Sequence, residues 1–462
     1  MSSATYMITS VIMLSCITYR WIVALAAMSI RAIVYGITYT SGIVYVIVLK
    51  NFQTGRAETS WVSSIITTVM YAAGLLSGRM LKAFEWRIII FAGGLVAGTG
   101  LILSSLSSRL SYLILSYGFV TGFGCGMAYI VACIAVPTHF RGHSRQRIAV
   151  ALGSCGTGIG TLVFSPVIQV VDSRYGWRGL FIILAGVAVQ MCTLGLFLRP
   201  VSCTESRKPE EIKTPTWNFM RNPGFYVTHL GFFLSAFADS VIYGHLGEYA
   251  ETLGVSNEKG AYLYSFIGVS VTVLTLLQGA ALDARASAFL PMKLAIIFFL
   301  LGGVATAFLL LVDNYITLII YAALFGANSA ASGGAIAVGI LEIYYGCENL
   351  ELTLGVNNAS IGIGTLLGAP VAGMVFELHD SYTPVLIMVC VSKVLSSLLF
   401  LLVYVICPDI QRVIDIDVRC PIEETNHNES KGNIPNMNAE DEETALLTSY
   451  SEMERGDTEK RS

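Results

Sequence analysis

Glu205-Ser206-Arg207-Lys208-Pro209-Glu210-Glu211 lies inside residues 199–222, the longest interior polar break in the chain. On both sides of it the sequence repeats one unit, about 20 apolar, glycine-dotted residues and then a short polar turn. Six such runs precede the break, near 21–48, 60–79, 87–107, 110–136, 148–171 and 179–198. Six follow it, near 224–247, 261–282, 291–312, 315–345, 352–377 and 383–407. A helix of about 20 apolar residues spans the ~30 Å hydrocarbon core of a bilayer. The pattern therefore predicts an all-α membrane protein of twelve transmembrane helices in two six-helix bundles, 21–198 and 224–407. An N-terminal segment (1–20), a linker (199–223) and an acidic tail (408–462) complete the division. Two similar halves with a short linker are the layout of a transporter whose site lies at the midplane between them.

Composition points the same way. Hydrophobic residues make up 54% of the chain and charged residues 13%, against about 25% charged in soluble proteins. A large soluble core is excluded. The 44 glycines suit membrane helices that pack closely. The ten cysteines form no CxxC pair and no Cys/His cluster with zinc spacing, so they read as small buried hydrophobes, with no metal and no cofactor implied. The run Gly153–Gly160 lacks the Lys-Ser/Thr ending of a phosphate loop and reads as helix packing. No Ser/His/Asp set, paired acid site or nucleic-acid motif stands out, so neither an enzyme nor a nucleic-acid binder is expected. Residues 1–19 contain an apolar stretch with no basic residue before it, and no cleavable signal peptide is expected.

Orientation follows from charge. The even-numbered connections carry 13 Lys and Arg, the odd-numbered ones 6. Positive charge is retained in the cytosol, so both termini are expected there. The last even connection departs from the trend, with Glu348 and Glu351 and no basic residue.

Four stretches, in order along the chain, resemble the monocarboxylate transporter family of the major facilitator superfamily. They are Glu58-Thr59-Ser60-Trp61 with Met70-Tyr71; Arg145 to Pro166 with Gly153, Gly156, Gly158 and Gly160; Tyr175-Gly176-Trp177-Arg178-Gly179; and Gly368-Ala369-Pro370-Val371-Ala372-Gly373 followed by Ser381-Tyr382-Thr383-Pro384. The likeness runs from about residue 21 to residue 407. It implies the major facilitator fold, alternating access for a small organic solute, and a single-span ancillary glycoprotein as partner. Three positions depart from proton-coupled members. Tyr39 stands where they carry a lysine, and Val271 and Thr275 stand where they carry an aspartate and an arginine. The resemblance without these groups implies facilitated diffusion rather than proton symport. Two rivals stay open: proton coupling through another titrating group, Asp239, and a non-transporting sensor or scaffold of the same fold.

Charges inside a bilayer are costly, so the few present are the candidate site. Arg31 lies ten residues past Trp21, about 15 Å deep at 1.5 Å per residue. Arg31, Tyr35 and Tyr39 share one helix face at i, i+4 and i+8, with Thr38 beside them. Ser235, Asp239 and Tyr243 form the equivalent stripe in the seventh helix. Arg31 and Asp239 could form a gate or hold opposite ends of a zwitterion, or they could be structural charges that never meet. Asn357 and Asn358 in the eleventh helix could bind a carboxylate, though amides there more often join helices. Tyr71 and Gln278 are further candidates, each equally readable as packing. His245 and Glu248, near the end of the seventh helix, are expected to be solvated.

The tail holds 14 acidic and 6 basic residues, a composition expected to be disordered. Glu442-Glu443-Thr444-Ala445-Leu446-Leu447 resembles an acidic dileucine sorting signal, and Tyr450-Ser451-Glu452-Met453 a tyrosine-based one. They suggest clathrin adaptors as partners and an endosomal or lysosomal pool beside the plasma membrane.

Overall fold

The computed structural model describes residues 3–140, 145–198, 222–284, 290–311, 314–345 and 350–406. All of them fall in one compact unit, Met1–Val418. The Glu205–Glu211 stretch and the tail with its two sorting motifs lie outside the described residues.

The described residues are helices joined by short turns. Its first half contains α1 (Ser3–Thr38), α2 (Ser41–Phe52), α3 (Arg56–Ala83), α4 (Trp86–Ser105) and α5 (Leu110–Leu113). A π-helical stretch, Ile114–Thr121, leads into α6 (Gly122–His139), followed by α7 (Gln146–Ser154) and α8 (Gly156–Gly195). The second half contains α9 (Pro223–Thr252), α10 (Asn257–Ala284), α11 (Leu290–Leu309), α12 (Tyr315–Gly333), α13 (Ala335–Tyr345), α14 (Leu350–His379) and α15 (Thr383–Ile406).

Ten helical stretches among the described residues are long and apolar enough to cross a bilayer. One of them, Gln146–Gly195, holds two of the expected runs. They are separated at Gly176, whose φ of 69° lies in the left-handed region that glycine enters without steric cost. With α3 added, twelve passes result, at the places the apolar runs predict. α1 differs at its start: it begins at Ser3, well before Trp21.

The first pass breaks between α1 and α2. Thr38 and Thr40 turn their hydroxyls back on the carbonyls of Val34 and Gly36, a local bond that competes with the helical ladder. Just past the break, a Cβ on Gly42 would lie 1.9 Å from the Tyr243 carbonyl oxygen. Only glycine lets α2 come this close to α9. Gly158 and Gly160 do the same for α8. A Cβ on Gly160 would sit 2.2 Å from the Ala32 oxygen of α1, and one on Gly158 would sit 2.5 Å from the Gly268 oxygen of α10. The glycine-rich signature of the fifth pass is therefore a packing device. The two halves meet along α3 with α14, α8 with α10, and α2 with α9.

Candidate functional site

A cavity lies between the halves. One wall carries Arg31, Tyr35, Tyr39 and Tyr71; the facing wall carries Asp239, Ser329 and Ser332. Val271 and Thr275, which stand at the positions of the proton-linked pair, also line it. The stripe read from the sequence in α1 thus faces the cavity as its periodicity requires.

Arg31 is buried at 7% exposure. It donates from Nη1 to the Cys133 thiol at 3.6 Å. Its guanidinium stands 5.8 Å from the ring centroids of both Tyr35 and Tyr129, within cation–π range. Its Nε has no partner among the described residues. No carboxylate meets it there in an ion pair. A buried cation supplied only with soft partners keeps capacity for an anion.

The tyrosines continue from it as a ladder across the cavity. Tyr35 contacts Tyr39 edge-on with centroids 4.7 Å apart, and Tyr39 meets Tyr243 of α9 at 4.5 Å. The Tyr39 and Tyr71 hydroxyls share a hydrogen bond of 3.0 Å, and the Tyr243 hydroxyl shares one of 3.0 Å with Ser329.

Asp239 does not pair with Arg31. It is held by Lys393 of α15, whose Nζ donates to Asp239 Oδ1 at 2.7 Å and to Ser235 Oγ at 2.9 Å. Asn328 Nδ2 donates to the same Oδ1 at 3.1 Å. Lys393 is 1% exposed and lies between the rings of Phe299 and Phe325, 5.6 and 6.0 Å from their centroids. Lys393 is absent from the residues singled out by sequence, although its signal is there: it is the lone charge between Thr383 and Ile406. Asn328, the one Asn between Tyr315 and Tyr345, stands in no pattern and carries none.

The remaining candidates divide. Asn357 is buried with its Oδ1 unpartnered, and Gln278 is buried with both amide atoms unpartnered among the described residues. Asn358 is half-buried. None of the three is among the cavity-lining residues.

The expectation that His245 and Glu248 are solvated is corrected. They are 2% and 4% exposed. Glu248 accepts from the Tyr45 and Tyr382 hydroxyls at 2.7 Å each and from Arg56 Nε at 2.5 Å. His245 Nε2 bonds the Ala369 carbonyl at 2.9 Å and stands 3.2 Å from Ser60 Oγ. One carboxylate thereby joins α2, α3, α9 and the Tyr382 turn before α15. Polar residues near a helix end look like surface in one dimension; here helices of the other half cover them.

The Major Facilitator Superfamily model matches residues 21–344. The chain belongs to that superfamily. Within it the protein is monocarboxylate-transporter-like. It is 26% identical to monocarboxylate transporter 12 of Xenopus laevis over 82% of this chain and 88% of that one. It is 25% identical to monocarboxylate transporter 6 of Homo sapiens over 80% and 77%. It is also 25% identical to monocarboxylate transporter 13 of Rattus norvegicus over 79% and 84%. Among solved structures, a bacterial homolog of the human lysosomal transporter Spinster, in an inward-facing and unoccupied conformation, superposes with a TM-score of 0.61. It does so at 15% identity, covering 86% of this chain and 98% of that one. This last likeness concerns the fold. The transporter is a multi-pass membrane protein whose two halves enclose the Arg31 cavity.

Proposed function

We propose that this transporter carries a small organic anion or amino-acid-like solute by alternating access, as facilitated diffusion rather than proton symport. The observation that carries the reading is Arg31, a buried cation on the cavity wall with no carboxylate of its own. It is placed to take the solute's carboxylate in the planar, forked manner of a guanidinium. Absence of a proton link rests on Tyr39, Val271 and Thr275, none of which titrates near neutrality. Asp239, the rival coupling group, already has its charge matched by Lys393. With the even-numbered connections in the cytosol, the end joined by Glu248 faces outward.

The test is uptake of radiolabelled carboxylates by proteoliposomes across pH 5.5–8. Flux down the solute gradient should change by less than about twofold when a proton gradient is imposed, because no proton crosses with the solute. Accumulation above equilibrium that a protonophore abolishes would restore symport and promote Asp239. No uptake of any solute would favour the sensor or scaffold.

For location, the tail motifs support a plasma-membrane protein with an endosomal or lysosomal pool. Changing Leu446→Ala and Leu447→Ala together should move tagged protein toward the cell surface, and adding Tyr450→Ala should move more. Met453 completes the tyrosine motif and Glu442 the dileucine one, so their alanine variants should act in the same direction. Surface density unchanged in the triple variant would mean the motifs are chance matches.

A further inference from the structure

A second, small space adjoins the cavity between α1–α2, α3, α9 and α14. Tyr39, Asp239 and Thr365 line both spaces. The lining of the second is otherwise mostly hydroxyl: Thr38, Ser41, Ser63, Thr67 and Ser240, with the Tyr243 phenol. It contains no lysine, arginine or histidine.

The protons of these hydroxyls are largely spent. Thr38 donates to the Val34 carbonyl at 3.0 Å, Ser63 to Ser60 at 2.9 Å and Thr67 to Ser63 at 3.2 Å. Ser240 donates to the Thr365 carbonyl at 2.8 Å and Thr365 to Gly362 at 2.9 Å. A hydroxyl has one proton and two lone pairs, so each of the five keeps acceptor capacity alone. Asp239 adds to this. Lys393 and Asn328 both bond its Oδ1, and Oδ2 takes no hydrogen bond among the described residues. The space is thus rich in acceptors, with the hydroxyls of Ser41, Tyr39 and Tyr243 as its remaining donors. It repels a carboxylate and suits an O–H or N–H group.

Resting on the carboxylate reading above, we propose that this space is a second subsite, which takes a hydrogen-bond-donating tail of the solute whose carboxylate is held by Arg31. The favoured solute is then a carboxylate with a hydroxyl or ammonium at its far end. The reach agrees. The guanidinium lies 5.8 Å from the Tyr35 ring centroid, Tyr35 packs on Tyr39 with centroids 4.7 Å apart, and Tyr39 lines both spaces. Butanoate substituted at its last carbon is the matching probe, because an unbranched chain separates its carboxylate from its donor.

The experiment measures kcat/KM for butanoate, 4-hydroxybutanoate and 4-aminobutanoate in proteoliposomes of the full chain. One or both tailed acids should exceed butanoate by about tenfold, the net worth of one to two hydrogen bonds. Preference for the amino compound alone places an ammonium on Asp239; equal preference places either donor among the hydroxyls; both results support the subsite. Thr67→Val and Ser240→Ala, made separately, should each reduce the tailed-to-plain ratio at least about threefold, a hydrogen bond's share. The ratio is taken within one preparation, so the folded fraction cancels. Equal transport of all three acids overturns the subsite and leaves the carboxylate reading standing. A preference that neither variant moves overturns its assignment to this space. No uptake of any of the three overturns the subsite together with the reading beneath it.

Discussion

Among the described residues, the buried cations Arg31 and Lys393 sit in opposite circumstances. Lys393 has a carboxylate at 2.7 Å and a hydroxyl at 2.9 Å; Arg31 has a thiol at 3.6 Å, two aromatic faces and an unpartnered Nε. Taking a charge out of water costs several kcal/mol, returned only by good partners. Lys393 recovers that cost inside the fold and has little to offer a solute. Arg31 recovers only part of it and therefore has binding capacity left. A charge in the bilayer is a lead; its partners decide whether it is structural or free for a ligand.

Three changes probe the contrast. The largest effect is expected at Arg31. Arg31→Ala should lower uptake by two to three powers of ten, the value of a desolvated charge-assisted contact worth about 3–5 kcal/mol. Arg31→Lys should recover part of it, since an ammonium keeps the charge but loses the fork. Surface protein should be near normal in both. Normal uptake by Arg31→Ala would move the site elsewhere.

The next effect is on stability. Asp239→Asn or Lys393→Met leaves one buried charge alone, at about 3–5 kcal/mol. Thermal melting of the purified protein should show a clear loss for each single variant. The double variant, with neither charge, should melt well above both singles. If it melts no higher, the two side chains do not act as a pair and the contrast with Arg31 fails.

The smallest effect belongs to Glu248. Glu248→Gln keeps acceptors for the Tyr45 and Tyr382 hydroxyls but weakens the charged bond to Arg56. By contrast, the exposed Lys50–Glu251 pair is worth at most about 1 kcal/mol. Loosening the Glu248 junction by about 1.4 kcal/mol would shift the open fraction tenfold. Ser63→Cys, on the wall of the second space, should then react several-fold faster with a membrane-impermeant maleimide when combined with Glu248→Gln. Equal labelling rates would mean that Glu248 does not hold this end closed.

The amino-acid sequence by itself determined the number and place of the membrane passes, the break into halves and the exposure of the Arg31–Tyr35–Tyr39 face to a cavity. These rest on local quantities: apolar length against bilayer thickness, and a helical period that puts i, i+4 and i+8 on one side. Partnership is another matter. Asp239 and Lys393 are 154 residues apart, and Glu248 is gathered by Tyr45, Arg56 and Tyr382 from 134 to 203 residues away. No periodicity encodes which helices become neighbours when the halves close. Only the tertiary structure decided that Asp239 belongs to Lys393, that Glu248 is buried, and that Arg31 meets no carboxylate among the described residues, because in a bilayer each charge is matched by whichever group the packing brings within bonding distance.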